Sequence, residues 1–130
     1  MQTVILDYET FTDRKKKYYL GKSPNCPSLS EYIHHPWFKV HGASLQLWPE
    51  QRKPRWLSGT ALVDALSQID WTDAQLLCHN TAFDGAILNW HFGHVPAFYL
   101  DTLSMARPLY DNSVSLSLDA LGQYLSLIHI

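Results

Sequence analysis

Two carboxylates lie one residue apart near the start of the chain, in Asp7-Tyr8-Glu9. Asp7 is the last residue of Thr3–Asp7, a short apolar and β-branched run that predicts a buried strand, and Glu9 follows that run. Side chains two residues apart on a strand point the same way, so Asp7 and Glu9 would converge on one spot. Neighbouring acids repel each other unless a cation lies between them. The pair therefore indicates a site for Mg²⁺ or Mn²⁺, although two unrelated acids at a solvated strand end would give the same short motif.

A third acid, Asp84, lies between a second apolar strand, Gln75–Cys78, and the start of a predicted helix. Asn80 or Thr81 is suited to cap that helix, which would place Asp84 in its first turn. A cap and a first-turn acid have a purely structural explanation too. If the two strands are parallel neighbours, however, Asp84 adds a third carboxylate to the first two.

The elements that must position these acids follow from the pattern of apolar residues along the chain. A short helix is possible within Ser28–His34, and Gly42 suggests a bulge in the strand that contains it. The order β-β-β-α-β-α-β-α-α predicts an α/β fold, with a mixed sheet and helices on its faces. The remaining predicted strands are Phe38–Trp48, Arg55–Leu57 and a buried Ala97–Leu100, and the predicted helices are Thr60–Ile69, Phe83–Phe92, Thr102–Leu109 and Ser117–Leu125.

The composition is that of one globular domain, with 130 residues of which 46% are hydrophobic. The net charge of -2 argues weakly against a nucleic-acid partner, but a carboxylate metal site is acidic until it binds its metal. Cys26 and Cys78 have no CxxC spacing, so neither zinc nor a disulfide framework is indicated. Without a signal peptide or an apolar run that could span a bilayer, we expect a soluble cytoplasmic protein with no membrane partner.

Two stretches, ILDYETFT and HNTAFDGAIL about 70 residues later, resemble the first two motifs of the DEDD exonuclease superfamily, which has a ribonuclease H-like fold. Within it the chain resembles the 3′-5′ proofreading domain of family A DNA polymerases, especially those of phage type. Three further stretches, SLSEYIHHPWFKVHGASLQLW, YLDTLSMARPLY and SLSLDALGQYL, resemble segments of the same domain. The likeness covers about residues 3–125.

This resemblance implies a nuclease that uses two divalent ions, Mg²⁺ or Mn²⁺, to remove mononucleotides from a single-stranded or frayed DNA 3′ end. It also implies a polymerase domain in the full-length parent chain. Among the residues, it makes metal ligands and catalytic acids of Asp7, Glu9 and Asp84, and substrate contacts of Thr10, Asn80 and Phe83. Phe11, Phe83 and Tyr8 are candidates for stacking on bases, although an aromatic residue beside a core strand is more often core. We expect structural or supporting roles for His79 and Asp101.

The superfamily's last motif, Tyr-x-x-x-Asp or His-x(4)-Asp, has no counterpart, because no aspartate follows Asp119. We therefore expect a C-terminally incomplete domain over residues 1–125, a non-native tail over 126–130, and little activity. Three alternatives stay open. They are a stand-alone exonuclease or oligoribonuclease, another ribonuclease H-like nuclease such as a resolvase or transposase, and a non-catalytic nucleic-acid-binding remnant.

Overall fold

The computed structural model describes residues 1–110 and 114–126. Five strands lie within these ranges: β1 (Gln2–Thr10), β2 (Val40–Trp48), β3 (Arg55–Leu57), β4 (Ala74–Cys78) and β5 (Phe98–Asp101). The α-helices there are α1 (Leu29–His34), α2 (Gly59–Ser67), α3 (Thr81–Ala86), α4 (Thr102–Ala106) and α5 (Leu118–Ser126). The expected tail at 126–130 lies outside the described residues, apart from the backbone of the last residue of α5.

The strands form one open sheet in the order β3-β2-β1-β4-β5. β1 is antiparallel to β2 and β2 to β3, whereas β4 is parallel to both β1 and β5. The predicted α/β class and mixed sheet are thereby confirmed. The predicted element order lacks α1, a helix that begins after Ser28, whose hydroxyl accepts a hydrogen bond from the backbone N–H of Glu31 (3.2 Å).

The core lies against one face of the sheet. Val4, Leu6 and Tyr8 of β1 alternate onto this face and are at most 3% exposed. Other elements complete the core cluster. Helix α2 contributes Leu62 and Leu66, and the π-helical turn Ile87–His91 after α3 contributes buried side chains as well. The opposite parity of β1 leaves Asp7 and Glu9 on the other face, where both are exposed.

Three local predictions need correction. β5 is an edge strand in which Phe98 and Tyr99 are 57% and 44% exposed, so it is not the buried strand that its apolar sequence suggested. The helix predicted at Phe83–Phe92 begins earlier, at Thr81, and its second half is a π-helical turn. In addition, β1 continues beyond its predicted end, to Thr10.

The bulge predicted at Gly42 belongs to the neighbouring residue. Glu9 pairs with Gly42 and Thr10 with Val40, so His41 is the extra residue in β2. Gly42 is needed for a different reason, since a Cβ there would lie 2.4 Å from the Trp56 ring and 2.7 Å from the Leu57 carbonyl oxygen. Glycine therefore allows the neighbouring strand β3 to pack closely onto β2.

Neither cysteine forms a disulfide, since Cys26 and Cys78 are both free thiols. Among the described residues, every helix is too short or too polar to cross a bilayer.

Candidate metal centre

The candidate centre lies at the edge of the sheet where β1 and β4 end. These strands are parallel neighbours, with Ile5 paired to Leu77, so their carboxyl ends meet at the same edge. β4 leads through a tight turn into α3, and Asp84 lies in the first turn of that helix. The topological condition for bringing the third acid to the first two is therefore met.

A long-range hydrogen bond holds Asp84 at the end of β1. The backbone N–H of Tyr8 donates to Oδ1 of Asp84 at 3.0 Å, across 76 residues of sequence. Since Tyr8 separates Asp7 from Glu9, this bond brings the carboxylate of α3 to the backbone of the acidic pair. Asp84 itself is only 3% exposed.

Burial raises the pKa of Asp84 to about 7, while the Tyr8 N–H opposes that rise and the negative charges of Asp7 and Glu9 add to it. The pKa of the neighbouring Cys78 thiol is raised as well, first by burial and then by the charge of Asp84. Ionisation of Asp84 in this poorly solvated place is therefore unfavourable, and a bound cation would offset that cost.

Carboxylate oxygens are the donors that Mg²⁺ and Mn²⁺ prefer, so the residues present fit either ion. Asp7 and Glu9 offer exposed carboxylates and Asp84 offers a fixed one. Within residues 1–110 and 114–126, no three or more His, Cys, Asp or Glu side chains form a preassembled ligand cluster. The structure therefore brings the three acids to one edge of the sheet without closing them around a common point.

Tyr32 of α1 connects three of the predicted substrate-contacting residues. Its hydroxyl hydrogen-bonds with the Thr10 hydroxyl (2.8 Å) and donates to the carbonyl of Phe11 (2.6 Å). Its ring also lies near that of Phe83, with centroids 6.5 Å apart. Sequence analysis missed Tyr32, because its position in a short amphipathic helix signals only a core residue.

Asn80 occupies the turn between β4 and α3 in a left-handed conformation, with φ of 69°. It is the N-cap residue of α3, yet its exposed side chain makes no capping hydrogen bond. Its backbone N–H donates instead to Oδ1 of Asp101 at 2.9 Å. A non-glycine residue in this conformation is uncommon, and asparagine is among those that adopt it most readily.

Asp101 stabilises this turn and caps α4. Its carboxylate accepts hydrogen bonds from the N–H groups of Asn80 and Leu103 and from the Ser104 hydroxyl, at 2.9–3.0 Å. Burial alone would raise its pKa, but these bonds outweigh burial and hold the pKa of Asp101 below its ordinary value. The bonds explain this acid structurally, as a cap.

His79 uses both ring nitrogens in hydrogen bonds. Nδ1 bonds with the Thr102 hydroxyl (2.9 Å), and Nε2 donates to the Leu116 carbonyl (2.8 Å). The ring thereby connects the end of β4 to α4 and to the segment that precedes α5.

Of the three aromatic candidates for base contacts, Tyr8 is a core residue, which is the alternative that its position beside a core strand favoured. It is 3% exposed and its ring stacks on Phe92, with centroids 5.5 Å apart.

Comparisons of the chain with protein-family models, with curated proteins and with solved structures gave no match. The functional assignment therefore rests on the motifs and on the geometry at the ends of β1 and β4.

Proposed function

We propose that the chain is a metal-dependent 3′-5′ exonuclease domain of the DEDD superfamily, with a ribonuclease H-like fold, and that it proofreads for a family A, phage-type DNA polymerase. The observation that carries the proposal is the hydrogen bond from the Tyr8 N–H to the buried carboxylate of Asp84. The sheet order supports it, because β1 lies between its antiparallel partner β2 and its parallel partner β4. The exposed pair Asp7 and Glu9 supplies further oxygen donors at the same edge.

In this proposal Asp7, Glu9 and Asp84 would hold the divalent ions. When bound, such ions polarise a phosphodiester and lower the pKa of an attacking water. The carboxylate of Asp84 has a fixed orientation, because it accepts the Tyr8 N–H and lies in the first turn of α3. Asp7 and Glu9 face solvent on the open face of β1, where a nucleic-acid strand has access.

The substrate in this proposal is a single-stranded or frayed DNA 3′ end. The exposed side chain of Asn80 lies at the turn into α3, where it can contact the terminal nucleotide. Phe11 and Phe83 are partly buried, so each keeps some apolar surface for contact with a base. Apolar contact of this kind tolerates any base, which suits an enzyme that removes mismatched nucleotides of every type.

Binding of Mn²⁺ gives a direct test, because this paramagnetic ion broadens the NMR signals of amides close to it. We expect selective broadening of the Tyr8, Glu9 and Asp84 amide signals of the 130-residue chain. Asp84→Asn and Asp7→Asn should each weaken the effect, whereas Asp64→Asn, a change at an exposed acid of α2, should leave it intact. Broadening that spares the ends of β1 and β4 would refute the metal centre.

Cleavage gives the second test, with a 5′-labelled single-stranded oligonucleotide and Mn²⁺. Because the final motif is absent from the 130 residues, we expect little degradation. Any products should shorten by one nucleotide at a time from the 3′ end and should disappear in Asp7→Ala. Brisk cleavage that depends on Asp7 would show that the final motif is dispensable, whereas cutting of circular single-stranded DNA would contradict an end-requiring enzyme.

A further inference from the structure

Positive charge is concentrated in the segment that joins β1 to β2. Residues 11–39 contain six Lys and Arg against two acids, in a chain whose net charge is -2. Four of these cations are consecutive, at 14–17. The remainder of the chain is correspondingly acidic, so the charge is strongly segregated.

A small turn fixes the four consecutive cations. Asp13 and Tyr18 exchange two backbone hydrogen bonds of 2.8 Å, and Lys17 adopts a left-handed conformation between them. The Asp13 carboxylate also accepts from the N–H of Lys16 at 3.1 Å. The ammonium group of Lys16 lies over the ring of Trp37, 4.8 Å from its centroid.

The turn forms one wall of a cavity of about 300 Å³. Its lining combines aromatic rings and cations with a single acid and consists of Phe11, Asp13, Lys16, Trp37, Lys39 and His41. Trp37 is 43% exposed, so a ligand has access to the part of its ring that Lys16 and His35 leave uncovered. An aromatic ring can stack on a nucleotide base, and a neighbouring cation can neutralise the attached phosphate.

The cavity adjoins the acidic edge of the sheet. Phe11 is two residues beyond Glu9, and its N–H donates to the Lys39 carbonyl at 2.9 Å. The β2 bulge places the unpaired residue His41 beside the Phe11 ring, with centroids 6.4 Å apart. A nucleic-acid strand that ends at the carboxylates would therefore meet the cavity within a short distance of its 3′ end.

We propose that this cavity binds a nucleotide upstream of the 3′-terminal one, in single-stranded nucleic acid, an inference that rests on the proposed function. The base stacks against Trp37 and Phe11, and Lys16 and Lys39 neutralise the adjoining phosphates. Such a subsite explains how an acidic protein holds a polyanion, since the acids at the ends of β1 and β4 repel phosphate until metal binds.

The test is the anisotropy of 5′-fluorescein-labelled dT8, titrated with the 130-residue chain in EDTA at several salt concentrations. We expect Trp37→Ala to weaken binding by about tenfold, in line with the loss of one base–aromatic stack. Lys39→Ala should weaken it several-fold and lower the slope of log affinity against log salt by about one. Lys16→Ala, on an exposed turn, should act like Lys39→Ala; it replaces no aromatic side chain but removes the ammonium group that lies over Trp37.

Matched controls lie elsewhere on the surface. Trp90→Ala removes an exposed tryptophan outside the cavity, and Lys53→Ala removes an exposed cation, so both should bind dT8 like the wild type. Wild-type affinity in Trp37→Ala, Lys16→Ala and Lys39→Ala would overturn the subsite. If Mn²⁺ still broadened the Tyr8 signal, that result would leave the nuclease proposal standing. Loss of dT8 binding in these variants without any Mn²⁺ effect at Tyr8 would support the cavity as a nucleic-acid site and reject the nuclease.

Discussion

On one face of β1, Val4, Leu6 and Tyr8 are at most 3% exposed, whereas on the other face Asp7 and Glu9 are open to solvent. The same strand thus anchors the core and presents two carboxylates. Alternation separates the two tasks, because each face can change without altering the other's packing. The comparison indicates that folding free energy comes from the buried face, while the exposed acids contribute little to stability.

Truncation on each face gives the largest expected contrast. Leu6→Ala removes a 2% exposed core side chain and should lower the free energy of unfolding by about 2–5 kcal/mol. Asp7→Ala, the adjacent residue on the exposed face, should change it by less than about 0.5 kcal/mol. Urea denaturation of both variants measures the difference. Equal losses would mean that the acidic face is also part of the structural framework.

Asp84 differs both from the buried apolar residues and from the exposed acids, since it is an acid that is buried. Its pKa is raised to about 7 in the folded protein, so the unfolded chain ionises it from about pH 4 upward while the folded chain retains the proton. Asp84 therefore lowers the free energy of unfolding as the pH rises above about 4, and this loss is largest above pH 7. Below about pH 4 the acid is protonated in both states and the loss disappears. We expect metal-free Asp84→Asn to be more stable than wild type by roughly 1–4 kcal/mol at pH 8 and by much less at pH 4.

The side-chain amide oxygen introduced by Asp84→Asn can still accept the Tyr8 N–H, so the substitution removes the charge and keeps that hydrogen bond. Asp64→Asn, at an exposed position of α2, should show no such pH-dependent gain. Mn²⁺ should stabilise the wild type and narrow the gap to Asp84→Asn, because the ion offsets the buried charge. A variant that is less stable than the wild type at pH 8 would show that the carboxylate is needed for folding.

Local pattern was sufficient to predict the α/β class, the parity of Asp7 and Glu9, and the strand-to-helix turn before Asp84. Each of these depends on residues close together in sequence. The role of Tyr32, by contrast, depends on contacts with Thr10 across 22 residues of sequence, which no local periodicity encodes.

The exposure of β5 was missed for a similar reason. Phe98 and Tyr99 read as core in isolation, and only the strand order places them at an open edge. The aromatic and cationic cavity also escaped prediction, because the bulge at His41 and the turn before Tyr18 bring together residues from separate segments.

The smallest expected effect concerns Tyr8, the one fully buried residue of β1 that has a polar group. Its hydroxyl is buried and finds no hydrogen-bond partner among the described residues, and burial raises the pKa of Tyr8. A buried hydroxyl without a partner costs free energy, so Tyr8→Phe should leave stability unchanged or raise it by about 1 kcal/mol. Stacking on Phe92 would be retained.

Tyr32→Phe is the matched control for this change, since its hydroxyl bonds with both Thr10 and Phe11. We expect that variant to lose about 1–3 kcal/mol in the same urea titrations, because an acceptor and a hydroxyl are left without their partner. If Tyr8→Phe lowered the free energy of unfolding as much as Tyr32→Phe, the Tyr8 hydroxyl would have to have a hydrogen-bond partner in solution. The buried face of β1 would then contain a polar interaction of its own, and the two faces would differ less than their side chains suggest.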